Sequence, residues 1–309
     1  MPIRLAPLLL ALLLVAACGL GSVRPPGAGS VPPAQPTAEG PPARRPEVFG
    51  GLGTWLDIYD PSWSHPVRTA REAAARGVRT LYLQTSNFNR GRAIVFPGAA
   101  GALLEAAHAE GIAVVAWYLP GFRDLRLDLH RVRRALAFRS PAGERFDAFA
   151  LDIESPEVRD PAVRTARLLR LSGAIRRAAG GGFPLGAIVP SPRGMMRNPS
   201  YWPGFPFPAL ARLYDAFLPM TYFTWRVEGR DGARAYTSWN IRLIRSAVGE
   251  LAVPIHVIGG IADQATLAET RGFVEAVREH RAAGASYYTF PLTRPGHWRA
   301  LGRLAPPAG

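Results

Sequence analysis

The chain has 309 residues, 48 % of them hydrophobic and 19 % charged, enough to bury a sizeable core in one large domain or two ordinary ones. All 37 basic residues are arginine, set against 23 acidic ones for a net charge of +14, and a chain without lysine can neither form a Schiff base nor build a lysine-bearing phosphate loop. The single cysteine, Cys18, excludes internal disulfides, thiolate zinc sites and iron–sulfur clusters.

The N-terminus accounts for that cysteine. Leu8 to Ala17 is an apolar run behind Arg4, too short to span a bilayer and suited to a signal peptide over residues 1–17. It ends Val15-Ala16-Ala17-Cys18, which resembles the lipobox of bacterial lipoproteins. The resemblance implies lipidation at Cys18 and an extracytoplasmic protein anchored to the bacterial cell membrane; an ordinary secretory signal is the alternative. Residues 18–47 then read as a disordered linker, since Gly19 to Glu47 holds eight prolines and five glycines and has almost nothing apolar to bury. The positive charge suits anionic wall polymers as partners. The arginines are scattered through helical segments and form no nucleic-acid-reading motif, so nucleic acid is not expected as a partner.

From residue 48 to 304 short β-rich runs alternate with amphipathic helices. The strands are expected at Gly53–Ile58, Val78–Gln84, Ile112–Tyr118, Ala148–Ile153, Leu185–Val189, Ala216–Tyr222, Ile255–Ile258 and Ser286–Phe290. Val67–Arg76, Ala99–Glu110, Val163–Ala179 and Leu267–Ala283 read as helices between them, several stopping on glycine. Eight such units predict an α/β fold, a single (β/α)8 TIM-type barrel, with residues 305–309 as a flexible tail. An open doubly wound sheet is the competitor, but no Gly-x-Gly-x-x-Gly follows the first strand.

In a parallel β/α barrel the chemistry belongs at the C-terminal ends of the strands. Those ends supply Asp57, Gln84, Asn87, Trp117, Tyr118, Met220, Tyr222, Trp225 and Tyr288, a mouth of carboxylates, amides and aromatic rings suited to sugars. On the fourth strand, alternation puts Ala150, Asp152 and Glu154 on one face and Phe149, Leu151 and Ile153 on the other. Two adjacent carboxyls raise each other's proton affinity, as a general acid needs near neutral pH. A salt bridge to arginine is the structural alternative for that pair.

Asp147-x-x-Ala150-x-Asp152-x-Glu154 resembles the D-x-x-D-x-D-x-E strand of the chitinase-like family-eighteen glycoside hydrolases, and Met220-Thr221-Tyr222 resembles their M-x-Y motif. The resemblance implies that Glu154 is the acid, that Asp152 positions the substrate's acetamido group and tunes the acid, and that Tyr222 bonds the same group. Two positions depart from the pattern. Ala150 stands where the family has an aspartate, and Phe223 follows Tyr222 where another is usual.

If the acetamido-assisted route is absent, a second carboxylate must be nucleophile or base; Asp57 is the first candidate and Asp263 the second, with turn or helix-capping roles the alternative for both, Asp263 especially. Trp117, Tyr118, Gln84, Asn87, Met220, Trp225 and Tyr288 are the expected substrate contacts, with Trp202 and Trp239 as further aromatic candidates. His256 lies in an apolar strand and reads as a core histidine. Neither metal nor other cofactor is called for, because no second histidine stands at ligand spacing. The expectation is a cell-envelope glycoside hydrolase acting on a polysaccharide or glycan; the alternatives are a non-catalytic carbohydrate-binding barrel and a scaffold lipoprotein.

Overall fold

The computed structural model describes residues 46–304. The signal peptide, the lipidation of Cys18, almost all of the linker and the tail at 305–309 lie outside the described residues. Among those described, no helix is long and apolar enough to cross a membrane.

Strands β1 (Gly51–Leu56), β2 (Thr80–Asn87), β3 (Ala113–Leu119), β4 (Ala148–Asp152), β5 (Leu185–Pro190), β6 (Ala216–Met220), β7 (His256–Ile261) and β8 (Gly284–Tyr288) pair in parallel and in chain order. β8 returns to β1, with Gly51 opposite Gly284, and closes the barrel. Each expected strand is present within two or three residues. The helices are α1 (Pro66–Ala74), α2 (Pro97–Ala109), α3 (Leu125–Leu136), α4 (Pro161–Ala179), α5 (Pro192–Arg197), α6 (Phe207–Ala211), α7 (Gly229–Val248), α8 (Leu267–Glu279) and α9 (Pro295–Leu301). Their starts follow local chemistry: Asp124 and Asp160 accept backbone N–H groups at the first turns of α3 and α4, and Thr266 with Glu269 forms a reciprocal cap on α8. α8 stops at Glu279, short of the expected Ala283, because the chain turns there through Arg281 at φ 46°.

Alternation sorts the apolar residues into two layers. Phe149, Leu151 and Ile153 join the outer layer between strands and helices, while Ala148 and Ala150 join the inner one. The barrel's interior is filled from below by Phe49, carried on a short 3₁₀ turn at Pro46–Phe49. Above Phe49, His256 shares its ring nitrogens between Phe49 O (2.8 Å) and Ser286 Oγ (2.9 Å), and Trp55 Nε1 donates to the same Ser286 Oγ at 2.7 Å. Tyr82 stacks on Trp55 with ring centroids 4.1 Å apart. Glycine makes room for these rings: a Cβ on Gly53 would stand 2.8 Å from Tyr82 and 2.9 Å from His256. Burial without a charge partner depresses the His256 pKa to about 4, so the imidazole is a neutral strut of the core.

Candidate active site

At the C-terminal mouth the strand ends enclose a cavity of about 440 Å³. Asp152 closes β4 at 6 % exposure, and Glu154 follows two residues later; both line the cavity. Ile153 N donates to Ile188 O at 2.8 Å, continuing the β4–β5 pairing past the last strand residue and holding Glu154 at the rim. Tyr201, on the long connection after β5, donates its phenol to Glu154 O. Asp152 Oδ1 has no hydrogen-bond partner. Burial, and then the neighbouring Glu154 charge, hold the Asp152 carboxyl well above the usual carboxylate range. Burial raises Glu154 as well. Among the described residues neither carboxyl is in a salt bridge, since no arginine there approaches either within ion-pair distance.

Tyr222 lies just beyond β6 where the chain kinks, Thr221 N bonding both Pro219 O and Ile258 O. It lines the same cavity, and burial together with the Glu154 and Asp152 charges holds its phenol proton tightly. Trp55, Trp117, Tyr222 and Tyr288 form the aromatic wall: Trp117 meets Trp55 edge-on at 5.8 Å, and Tyr288 lies 6.3 Å from Tyr222. Trp117 Nε1 has no partner and is a free donor in the cavity lining. Gln84 and Asn87 also line it, Gln84 Oε1 being fixed by Ile58 N at 3.0 Å and Asn87 Oδ1 by Asn89 N at 3.0 Å.

Met220, Tyr222 and Glu154 also line a second cavity of about 260 Å³, walled otherwise by residues of the β5–β6 connection and by Arg226. The two cavities, the first and second lobes of the mouth, share Glu154, Met220 and Tyr222 as a common wall.

Several expected site residues lie elsewhere. Tyr118 is turned outward, because alternation allows only one of Trp117 and Tyr118 to face the barrel; its phenol donates to Asp128 Oδ1 at 2.6 Å and receives Arg131 Nη1 at 3.0 Å. Trp225 stands 79 % exposed at φ 62° on the loop after β6 and lines neither cavity. Asp57 lines neither cavity either: its Oδ1 accepts from Tyr59 N (2.7 Å) and its Oδ2 from the Tyr288 phenol (2.8 Å). Beside it, burial and the Asp57 charge push Asp60 up to about 7. Asp263 is a loop residue whose Oδ2 accepts from Gln264. Trp202 is buried against Phe122 and Phe205 under the Arg164 guanidinium, and Trp239 carries Arg193 on its face. Phe223 packs outward on Phe273 and Tyr287 in the outer core. Among the described residues no cluster of three or more His, Cys, Asp or Glu is arranged to hold a metal.

Sequence reading missed Trp55, Phe88, Asn89, Ile258 and Ile261 in the first lobe, and Asn198 and Arg226 in the second. Alternation from the inward Gly53 would have found Trp55. Nothing local marks Arg226, which two distant connections bring to the cleft.

No protein-family model matches the chain, and no curated protein matches it by sequence. In fold it is similar to the Bacillus cereus spore cortex-lytic enzyme SleL (11 % identity, TM-score 0.61, covering 82 % of this chain and 73 % of that one). It is similar too to the PgaB (BpsB) glycoside hydrolase domain from Bordetella bronchiseptica (13 %, 0.54, covering 84 % and 99 %) and to a class V chitinase from Pseudomonas fluorescens Pf-5 (13 %, 0.55, covering 82 % and 98 %). The neighbours in fold are family-eighteen chitinases and other glycoside hydrolases, and the likeness at these identities is one of fold.

Proposed function

We propose that the barrel is a glycoside hydrolase of the cell envelope that cleaves a polysaccharide or glycan with Glu154 as general acid. The observation that carries this reading is the pair Asp152 and Glu154, side by side at the mouth of a barrel, buried among aromatic rings and raised above the usual carboxylate range by that burial. A cleft open on both sides of Glu154 can seat sugar residues on each side of the bond to be protonated. The solved structures similar in fold, among them a chitinase and an N-acetylglucosaminidase, support glycans as substrates.

Among the described residues, Asp152 and Glu154 are the only carboxylates lining the two lobes. With Glu154 as acid, the group attacking the anomeric carbon is then most simply the substrate's own acetamido oxygen, oriented by Asp152 and by the Tyr222 phenol. Glu154 protonates the departing glycosidic oxygen as that carbon–oxygen bond breaks; the resulting carboxylate then takes a proton from the water that opens the cyclic intermediate. N-acetylhexosamine polymers are the substrate class that fits.

Glu154→Gln keeps the shape of the acid and removes its transferable proton. Turnover should fall by a factor of about 10² to 10⁴ while glycan binding persists. Full turnover in that variant on a confirmed substrate would end the assignment. Ala150 beneath Asp152 favours one other reading, a barrel that binds glycans without cleaving them; binding by the wild-type chain with no new reducing ends would select it. The envelope location rests on the lipobox-like Val15 to Cys18. Labelled fatty acid should enter the wild-type chain and not Cys18→Ala.

A further inference from the structure

We infer that the second lobe of the cleft, on the Arg226 side of Glu154, is a subsite for a sugar residue bearing a carboxylate, so that the polymer is an acidic glycan. The inference rests on the mouth being a glycan cleft and adds to it a chemical class of substrate.

The two lobes differ in charge. The first is lined by aromatic, aliphatic and amide side chains with the two carboxyls, and holds no cation. The second has Arg226 in its wall. Arg226 forms no ion pair among the described residues, whereas Arg230 and Arg234, a few residues on, are held by Glu275 and Glu279 at 2.7 and 2.8 Å. Its guanidinium lies beside Gly194, where a Cβ would stand 3.5 Å from Nη1, in ordinary contact with it.

The surroundings reinforce the sign. The connection from Ser191 to Ala211, which builds the outer wall of this lobe, carries Arg193 and Arg197 and no acidic residue. Arg197 Nη1 donates to the backbone carbonyl of Arg226 at 3.5 Å, so the two connections meet at that residue. An exposed planar guanidinium with no ion pair among the described residues, in the wall of a cleft, matches a carboxylate through two parallel N–H···O bonds. The same charge offsets the repulsion that an anionic sugar would meet from Glu154 once the acid has given up its proton.

The test uses the mature chain carrying Glu154→Gln, so that binding is read without turnover. Hyaluronan hexasaccharide, which alternates N-acetylglucosamine with glucuronate, is compared with the same oligosaccharide after its carboxylates are reduced to alcohols; muramic-acid-containing glycan strands are compared with their carboxyl-amidated form. The charged member of at least one pair should bind about tenfold or more tighter by calorimetry at low salt. Adding Arg226→Gln should remove most of that preference, and Arg226→Lys should restore part of it, at an unchanged melting temperature. Equal binding of the members of both pairs, no binding of any of them, or a preference that survives Arg226→Gln would overturn the subsite. A preference that depends on Arg226, with no hydrolysis of the charged polymer by the wild-type chain, would leave the subsite standing and remove the hydrolase reading instead.

Discussion

The phenol of Tyr288 donates a 2.8 Å hydrogen bond to Asp57 Oδ2, linking the last strand to the turn after the first at the point where the barrel closes. Both Asp57 oxygens are occupied, the other by Tyr59 N, so the carboxylate serves the turn and orients a cavity-lining ring.

The first prediction follows from that occupancy. Asp57→Asn keeps an acceptor for Tyr288 and should change kcat by less than about tenfold, whereas a nucleophile would lose about a thousandfold or more. Asp57→Ala frees the Tyr288 phenol and should raise KM more than it lowers kcat. Steady-state kinetics on a cleaved glycan separate the cases, and collapse of turnover in Asp57→Asn would return Asp57 to the chemistry.

The second concerns where the fold begins. Phe49 is fully buried in the barrel's base, Val48 O accepts from Thr80 Oγ1 at 2.8 Å, and Gly50 N donates to Glu47 O at 2.8 Å. A chain starting at Pro46 should melt within a few degrees of the mature protein. One starting at Gly50 loses a core phenylalanine and should be less stable by about 3 to 5 kcal/mol. Equal melting temperatures for the two would mean that the plug contributes nothing.

The third is a pH dependence of stability. His256 has a folded pKa of about 4 against an ordinary value of 6.5, so between those values the unfolded chain binds the proton and the folded chain does not. The stability from the neutral imidazole is therefore present above pH 6.5 and is lost as pH falls toward 4, roughly 3 kcal/mol in all. Urea unfolding at pH 7 and pH 4.5 should show this slope in the wild-type chain and a smaller one in His256→Gln. Identical slopes would mean that the imidazole titrates normally in the folded state.

The barrel was legible because its two periodicities are clean: helices ending on glycine alternate with runs such as Phe149, Leu151 and Ile153, whose large side chains can face only the helices. The carboxyl pair was legible for the same reason, since a period of two places Asp152 and Glu154 together. Nearness to a strand end does not separate Trp117 from Tyr118, but parity does: neighbours face opposite sides, and of the two only Trp117 lines the cavity. Asp57 has the inward parity of Trp55, yet β1 has already ended at Leu56 and the turn captures the carboxylate. Arg226 and Gly194 are 32 residues apart in sequence and meet only because two connections fold over the same strand ends, a relation that carries no local signal.

The last prediction concerns the order in which the carboxyl pair loses its protons. Burial raises both groups, and the Glu154 charge raises Asp152 further, so Glu154 is expected to ionise first and the deeper Asp152, whose Oδ1 has no partner among the described residues, to stay protonated. Glycosidic bond cleavage needs the proton on Glu154. Activity should therefore fall on the basic side as Glu154 ionises, at a pH above the usual carboxylate range. In Asp152→Asn the neighbour is neutral, as it already is when the first proton leaves, so the basic limb should stay within about half a pH unit of the wild type. Its kcat should nevertheless fall, by about 10²-fold, because an amide cannot exchange the proton with which Asp152 orients the reacting group. In Glu154→Gln a shift is expected: without the Glu154 charge, Asp152 titrates lower than in the wild-type chain, yet still above an ordinary aspartate because burial remains. Carboxyl carbon titration by NMR reads this directly, and kcat/KM against pH reads the first ionisation. A basic limb displaced by more than about one pH unit in Asp152→Asn would mean that Asp152 is ionised in the working enzyme, and the assignment of the first ionisation to Glu154 beside a neutral Asp152 would fall.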